Sequence, residues 1–468
     1  MLEHKYDFGL VGLGVMGHNF ILNVADKGFS VCGLDLDQTK VDSLIASGGD
    51  AAKVQATTKV EAFTKALSSP RKIMLLVPAG KLVDAAIESL LPHLEKGDII
   101  IDGGNSFFTD TDRREAYLKE KGINFFGSGV SGGAEGARRG PSIMPGGNKE
   151  AYQHIKPIFE AAAAKFNGEP CVAYLGPKSA GNYVKMVHNG IEYGLMQLTA
   201  EVYHLLKHSA GLSNEELAAT FDSWNKGRLQ SFLVDITAEI FNQKDDKGEG
   251  HLVDKILDKA KQKGTGKWTS QNAMDLGIPI PSIDIAVSMR EISAFKDLRV
   301  EAEALYGKPT PKSVDKADFI YKAEQALYFA FIITYAQGLN QLAEASEEYG
   351  YELDMAEVAK IWRAGCIIRA ALLDDISKTF ATAPKLKNIV MAPDFVSKLK
   401  ETLSATRNVV TYGAENGIPL PGLSNSLTYF DAITSGRLPL NLIQAQRDHF
   451  GSHTYERTDM EGIFHTEW

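Results

Sequence analysis

Two rhythms divide the chain. Up to about residue 178, short apolar runs at 8–13, 30–34, 72–77, 98–102 and 124–127, and one closing on Pro145-Gly146-Gly147, alternate with helix-like stretches such as 18–25, 82–94 and 152–159. Apolar runs this short, bounded by turn residues and separated by helical spacing, predict strands of a parallel sheet covered on both faces. Beyond Gly181 the helical period takes over, and residues 185–207 predict one long helix, which needs burial on several sides. Pro and Gly at 419–421 and 436–439 punctuate the last helices. The expected fold class is α/β: a doubly wound domain at 1–178, a large all-helical domain at 179–436 and a C-terminal tail at 437–468.

The first apolar run enters Gly12-Leu13-Gly14-Val15-Met16-Gly17, and a helical stretch follows. Strand, tight turn and helix are the setting that gives this fingerprint meaning. Gly12 permits the turn, Gly14 lets the backbone approach a pyrophosphate, and Gly17 lets the helix pack on the strand. The pattern predicts a Rossmann-type dinucleotide site. The second run ends at Asp35, where a carboxylate accepts bonds from an adenosine ribose. With Leu36 and Asp37 beside it and Lys40 as the nearby cation, a 2'-phosphate would meet two like charges, so NAD is favoured over NADP. The alternative is that Asp37 or Asp35 only caps a helix beginning near Gln38. Val77, Pro78 and Ala79 leave the third run at the sheet edge where ligands lie, and Gly103-Gly104-Asn105-Ser106 leave the fourth. Asn105 is both an ordinary turn former and a candidate contact to nicotinamide or substrate. Residues 127–133 read as a glycine-rich loop whose Ser131, with the amides of Gly132 and Gly133, suits a carboxylate; the alternative is a flexible connector.

Reactive side chains concentrate in residues 185–193, KMVHNGIEY. In a helix, Lys185, His188, Asn189 and Glu192 recur at steps of three and four and share one face, with Tyr193 beside them. An amine, an imidazole, an amide and a carboxylate together suit acid–base chemistry, although they also suit a solvated face. A faint repeat follows. Gly194-Leu195-Met196-Gln197-Leu198 is echoed by Gly338-Leu339-Asn340-Gln341-Leu342, Trp224 by Trp362, and Asp235-Ile236 by Asp375-Ile376. The kept order points to duplicated helical units. The second copy lacks the Lys-His-Asn-Glu face and reads as scaffold. Between the copies, residues 262–268 (QKGTGKW) lack P-loop spacing, yet Lys263 and Thr265 among glycines suit a phosphate, and Arg290 adds a fork of donors. Singly, each is as well an ordinary surface residue. The tail, with Arg447 and His453 among apolar anchors, reads as a segment that packs on another chain.

Composition narrows the class. The chain has 468 residues, 44% hydrophobic and 23% charged, with a net charge of -9. That is a globular polypeptide of more than one domain, without the cationic surplus of a nucleic-acid binder. Three scattered cysteines, Cys32, Cys171 and Cys366, form no metal or redox motif and fit a reducing compartment. Neither a signal-peptide pattern nor a membrane-length apolar run is found, so the expected location is cytoplasmic, with no membrane partner.

Together these motifs resemble the decarboxylating 6-phosphogluconate dehydrogenase family over essentially the whole chain: the fingerprint at 12–17, Gly103-Gly104-Asn105, Val130-Ser131-Gly132-Gly133, 185–193, 262–268 and 441–450. The resemblance implies oxidative decarboxylation of 6-phosphogluconate to ribulose 5-phosphate and carbon dioxide in the pentose phosphate pathway, with hydride passing to a nicotinamide cofactor. No metal is implied, because the oxidised carbonyl beside the carboxylate serves as electron sink. It implies Lys185 as the base for the hydroxyl on carbon 3, and Glu192 as the acid that protonates carbon 1. Asn105, Ser131, Gly132, Gly133, His188 and Asn189 become substrate contacts, and Tyr193, Lys263, Thr265 and Arg290 a phosphate site. Arg447 and His453 are implied to come from the tail of a second subunit, making a homodimer the working unit. Many relatives carry Asn-Arg-Thr in place of Asp35-Leu36-Asp37, and the loss of that Arg agrees with NAD. The alternatives are an NADP-dependent form of the same reaction and a non-decarboxylating 3-hydroxy acid dehydrogenase.

Overall fold

The computed structural model describes residues 5–50 and 52–468. Its first part is built on seven strands: β1 (Phe8–Val11), β2 (Val31–Leu34), β3 (Val54–Thr57), β4 (Lys72–Leu75), β5 (Ile99–Asp102), β6 (Asn124–Ser131) and β7 (Ser142–Gly147). They lie in the order β3-β2-β1-β4-β5-β6-β7. All neighbours are parallel except β7, which runs antiparallel to β6. The strand order therefore reverses between β1 and β4, which opens a crevice at their carboxyl ends. β5 shows why the sheet is buried on both faces. Ile99 and Ile101 join an apolar cluster with Phe8 and Phe20, while Ile100 joins another with Phe63 and Leu118. The covering helices are α1 (Val15–Asp26), α2 (Gln38–Gly48), α3 (Val60–Ala66), α4 (Lys81–Leu90), α5 (Phe108–Glu120), α6 (Gly133–Arg139) and α7 (Lys149–Ala162).

Two readings of this part need correction. β3 and α3 have no counterpart in the expected pattern; four residues reading Val-Gln-Ala-Thr at the sheet edge leave too little periodicity to detect. Residues 127–133 are not a loop. Gly127 to Ser131 continue β6, and only Gly132 (φ +116°) and Gly133 (φ +63°) turn the chain into α6. The glycines answer a packing demand: a Cβ on Gly127 would overlap the Asn182 side chain, and one on Gly129 would overlap Lys185.

Asn182 and Lys185 belong to α8 (Ala180–His208), a helix of 29 residues that packs on β6 and β7. It opens an all-helical part: α9 (Asn214–Trp224), α10 (Phe232–Asn242), α11 (Thr265–Asp275), α12 (Pro281–Ala294), α13 (Lys296–Tyr306), α14 (Lys316–Tyr349), α15 (Met355–Ile361), α16 (Leu372–Thr382), α17 (Pro393–Glu415) and α18 (Pro421–Ile433). The sequence echo falls on matching places. Trp224 closes α9 and Trp362 follows α15; Asp235 and Asp375 lie in the first turns of α10 and α16. The echoed glycines mark where α8 and α14 press together. A Cβ on Gly194 would meet Thr334 at 2.6 Å, and one on Gly338 would meet Ile191 at 2.5 Å. Backbone bonds from Phe232 to Arg369 and from Ala371 to Gln230 then join the two copies. The chain ends in α19 (Leu440–Gly451) and a hairpin, Tyr455–Glu456 with Ile463–Phe464. No helix among the described residues is long and apolar enough to cross a membrane.

Candidate active site

At the sheet's carboxyl edge, the three fingerprint glycines serve two purposes. A Cβ on Gly12 would meet the Leu76 carbonyl at 2.6 Å, and one on Gly17 would overlap the Gly12 carbonyl, so both allow close packing. Gly14 has nothing within 4 Å, and it caps α1 through its backbone alone. That open helix start, with Val15 exposed and Met16 packed on the core, fits a pyrophosphate. Asp35 leaves β2 with one carboxylate oxygen accepting from the Leu13 amide at 2.7 Å and the other from the Asp37 amide at 3.0 Å. Lys40 Nζ lies 3.6 Å from it. Asp37 is the cap of α2, accepting from the Thr39 amide at 2.9 Å and its hydroxyl at 2.6 Å. Those bonds hold its carboxyl below the ordinary value. Leu36 is 90% exposed between the two acids. Leu13, Gly14, Val15, His18, Thr39, Lys40 and Ser43 line a cleft beside this corner. The residues present suit a dinucleotide.

Val77 is half-buried, while Pro78, Ala79 and Asn105 are exposed at the same edge. Asn182, in the first turn of α8, donates to the Gly104 carbonyl at 3.3 Å and accepts from Thr111 at 3.0 Å. The turn carrying Asn105 is thus tied to the helix carrying Lys185.

The α8 face is the centre of the cluster. Lys185 Nζ donates to Asn189 Oδ1 at 2.7 Å and lies 3.5 Å from His188 Nδ1. His188 Nε2 faces Ser131 Oγ at 3.4 Å, and its Nδ1 lies 4.0 Å from Glu192. Burial lowers the Lys185 pKa, against the pull of Glu192 and Cys366. Burial raises the Glu192 pKa, against Lys185 and Arg290. His188 is held well below its ordinary value by burial and then by Lys185, so it is neutral here. The result is an amine biased toward its free base and a carboxyl biased toward its acid on adjacent turns.

Asn189 also donates to the Thr265 hydroxyl at 3.2 Å, joining α8 to the start of α11. Gly264 (φ +96°) turns the chain there, and Gly266 is bare because a Cβ would overlap the Tyr193 ring. The Arg290 guanidinium stacks 3.4 Å from the centre of that ring and donates to the Lys261 carbonyl at 3.2 Å. Tyr193, Thr265 and Arg290 therefore come together, with Lys263 exposed beside them. Arg447 and His453 do not join this group within the chain. Arg447 donates to Gln444, and His453 stands against Phe450.

The second helical copy is more than scaffold, which corrects the expectation. Trp362, fully buried, meets the His188 ring edge to face with centroids 5.5 Å apart. The Gly365 carbonyl lies 2.5 Å from where a Cβ on Gly132 would stand, so the second copy packs against the turn into α6. The signal was available in the Trp224–Trp362 echo, but sequence carries no sign of which face that indole covers.

Comparison with known proteins agrees with this architecture. Residues 7–176 match the family model described as the NAD binding domain of 6-phosphogluconate dehydrogenase, and residues 181–468 match its C-terminal domain. The chain is 51% identical over 466 residues to a Bacillus subtilis protein named as an NADP(+)-dependent, decarboxylating 6-phosphogluconate dehydrogenase, covering 99% of each. It is 52% identical to the decarboxylating enzyme of Escherichia coli K12, again over 99% of each chain. The solved structure of Plasmodium falciparum 6-phosphogluconate dehydrogenase, described with its cofactor NADP+ and its substrate 6-phosphogluconate, superposes with a TM-score of 0.96 at 46% identity, covering 99% of this chain and 100% of that one. Matched by family models over residues 7–176 and 181–468 and superposed over 99% of its length, this chain belongs to the 6-phosphogluconate dehydrogenase family.

Proposed function

We propose that the chain oxidatively decarboxylates 6-phosphogluconate to ribulose 5-phosphate and carbon dioxide. The observation that carries this reading is the pairing on α8 of a buried amine with lowered pKa and a carboxyl with raised pKa, seven residues apart on one helix. A nicotinamide held at the sheet's carboxyl edge supplies the hydride acceptor. Lys185, as free base, takes the proton from the hydroxyl on substrate carbon 3 as carbon 3 loses hydride. The protonated Lys185 then donates a hydrogen bond to the new carbonyl oxygen, which draws electrons as the carboxylate leaves as carbon dioxide. That oxygen takes the Lys185 proton to give the enediol, and Glu192 then delivers its proton to carbon 1 as Lys185 takes the hydroxyl proton back, which completes the pentulose.

Asn105, Ser131, Gly132, Gly133, His188 and Asn189 hold the sugar acid, and Tyr193, Lys263, Thr265 and Arg290 hold its phosphate. In this reading the division at residues 178/179 and 436/437 separates cofactor domain, helical domain and tail. The tail crosses to a second copy and presents Arg447 and His453 to its site, so a homodimer is the working unit. The exposed apolar residues of α19, Leu442, Ile443 and Phe450, favour such a crossing. The three cysteines, all free and buried, suit a reducing cytoplasm.

The cofactor is proposed to be NAD, because Asp35 and Asp37 flank Leu36 where a 2'-phosphate would need cations. The second reading, NADP, is favoured by Lys40, Thr39 and His18 on the same cleft and by the two NADP-associated relatives. Steady-state assays with 6-phosphogluconate and each cofactor, with products identified, test both proposals. Ribulose 5-phosphate and carbon dioxide in equal amounts are expected, with higher kcat/KM for NAD. An oxidised acid that keeps all its carbons would overturn the reaction, and higher kcat/KM for NADP would overturn the cofactor.

A further inference from the structure

One guanidinium spans the two loops that face the cofactor. Arg114 is on α5, behind the sheet's carboxyl edge, with its side chain 1% exposed. Its Nε donates to Asp84 Oδ1 at 2.8 Å, and its Nη2 to Asp84 Oδ2 at 3.2 Å, a two-pronged hold on α4. Nη2 also donates to the Gly80 carbonyl at 3.0 Å, the end of the loop that carries Val77, Pro78 and Ala79. Nη1 donates to Ser106 Oγ at 3.3 Å and lies 3.5 Å from Asp102 Oδ2. Asp102, fully buried, accepts from Ser106 Oγ at 2.6 Å and from the Gly104 amide at 3.0 Å, so it fixes the turn that carries Asn105. A Cβ on Gly104 would lie 3.3 Å from the Val77 carbonyl, which shows how closely the two loops are set.

We infer that Arg114 is a positioning residue for the dinucleotide's reactive end: it sets the gap between the loop after β4 and the turn after β5, and with it the distance from the hydride acceptor to the substrate over Lys185. This rests on the reaction proposed above. The guanidinium suits the task because it is planar and supplies donors in several directions at once. Lysine offers a single charged point and cannot hold Asp84, Gly80 and Ser106 together. Arg114 touches no reacting atom on this account and acts through the loops alone. A misplacement of about 1 Å between reacting groups costs about 100-fold in rate, so a modest change in the gap suffices.

The test uses the full-length enzyme with Arg114→Lys, Arg114→Met and Ser106→Ala, each checked for fold by circular dichroism. The readouts are kcat, the KM for cofactor and for 6-phosphogluconate, the kinetic isotope effect with substrate deuterated on carbon 3, and NADH binding by fluorescence. For Arg114→Lys the expected result is a fall in kcat of about tenfold or more, a raised cofactor KM, an isotope effect nearer its intrinsic value, and a KM for 6-phosphogluconate within about twofold of the parent's. Ser106→Ala, which frees only the turn, moves the same quantities less. A folded Arg114→Met enzyme with unchanged kcat and cofactor KM overturns the inference. So does an equal loss of affinity for cofactor and substrate, which marks general destabilisation. Should the parent enzyme bind NADH without turning over 6-phosphogluconate, the reaction fails separately. The NADH affinity of the variants then decides the clamp: weakened binding upholds it, and unchanged binding overturns it.

Discussion

Lys185 Nζ donates to Oδ1 of Asn189, one turn further along α8, over 2.7 Å. Asn189 in turn donates to Thr265 at the start of α11, so the amine is aimed by a chain of bonds ending at the proposed phosphate site. The Asn189 oxygen accepts from the neutral amine as well as from the ammonium. It thus orients Nζ without demanding a charge, and burial keeps that charge unfavourable.

Lys185→Met is expected to fold, since an apolar side chain of similar length replaces a buried amine that is 6% exposed. Turnover should fall by about 1,000-fold, the usual weight of a positioned general base. Initial rates and a thermal melt check both halves of the statement. Turnover within about tenfold of the parent would remove Lys185 from the role.

The pH dependence follows from the two opposed shifts. Lys185 titrates below its ordinary 10.5 and Glu192 above its ordinary 4.5, each chiefly through burial. In the proposed mechanism the active form has Lys185 neutral and Glu192 protonated, so kcat/KM should be bell-shaped with both limbs inside that window. Glu192→Gln leaves only the Lys185 requirement. Its residual rate should rise with pH through the Lys185 pKa and not fall again. A pH–rate series on parent and variant reads this directly, and an alkaline limb retained in the variant would point to another acid.

Much of this site could be read before the fold was known, for reasons that differ by residue. The α8 face was legible because helical spacing alone puts Lys185, His188, Asn189 and Glu192 together. The fingerprint was legible because its glycines answer to a fixed turn. Residues 127–131 were misread because glycine marks two different needs, a loose turn and a neighbour too close for a side chain. Only the α8 contacts tell them apart. Arg114 went unseen, and Trp362 showed only as part of the echo, because a long-range contact leaves no local period: Arg114 meets Asp84 thirty positions away, and Trp362 meets His188 across the repeat.

The cofactor corner can be recast with little cost to the fold. Leu36 is exposed, and Asp37 caps α2 through its side chain, a role that Thr also performs. Leu36→Arg with Asp37→Thr removes one negative charge and adds a fork of donors beside Lys40. The ratio of kcat/KM for NADP over NAD should rise by about tenfold or more, the worth of one charge-assisted contact to the 2'-phosphate. A ratio that does not move would place the 2' position elsewhere.

The proposed crossing of the tail has a signature that needs no new structure. Arg447→Ala should raise the KM for 6-phosphogluconate by about 10- to 100-fold through loss of the charged contact proposed for it in the neighbouring site. Inactive Lys185→Met subunits carry an intact tail, and Arg447→Ala subunits carry an intact base. Unfolded and refolded together, they form mixed dimers in which one site of two has both parts. Activity at low substrate should then return to about a quarter of the parent's. Simple averaging of the two parent variants would mean that each tail serves its own chain.

The last prediction concerns what shapes that tail. Asp448 is fully buried within it and gathers four donors: the amide of Thr454 at 2.9 Å, His465 at 2.8 Å, the amide of Thr466 at 3.1 Å and the Trp468 indole at 2.9 Å. Burial pushes its pKa up, but the four bonds outweigh it and leave the carboxyl well below the ordinary range, while Asp448 raises the pKa of His465. The turn it holds is strained: Ser452 (φ +50°) and Thr454 (φ +59°) are both left-handed, and His453 stands between them. Asp448 therefore holds a conformation that the residues themselves disfavour. Its contribution is present above the unfolded carboxyl pKa and lost as pH falls through the lowered folded value. The His465 contribution is present below the unfolded imidazole pKa and lost as pH rises through the raised folded one. Asp448→Asn keeps the size and loses the charge, and its amide cannot accept from four donors. The variant should keep the fold of the helical part, free its tail to a protease, and change Trp468 fluorescence as the already exposed indole loses its hydrogen-bond acceptor. It should also lose substrate affinity as Arg447→Ala does. A protected tail with unchanged fluorescence and unchanged KM would show that the turn holds itself.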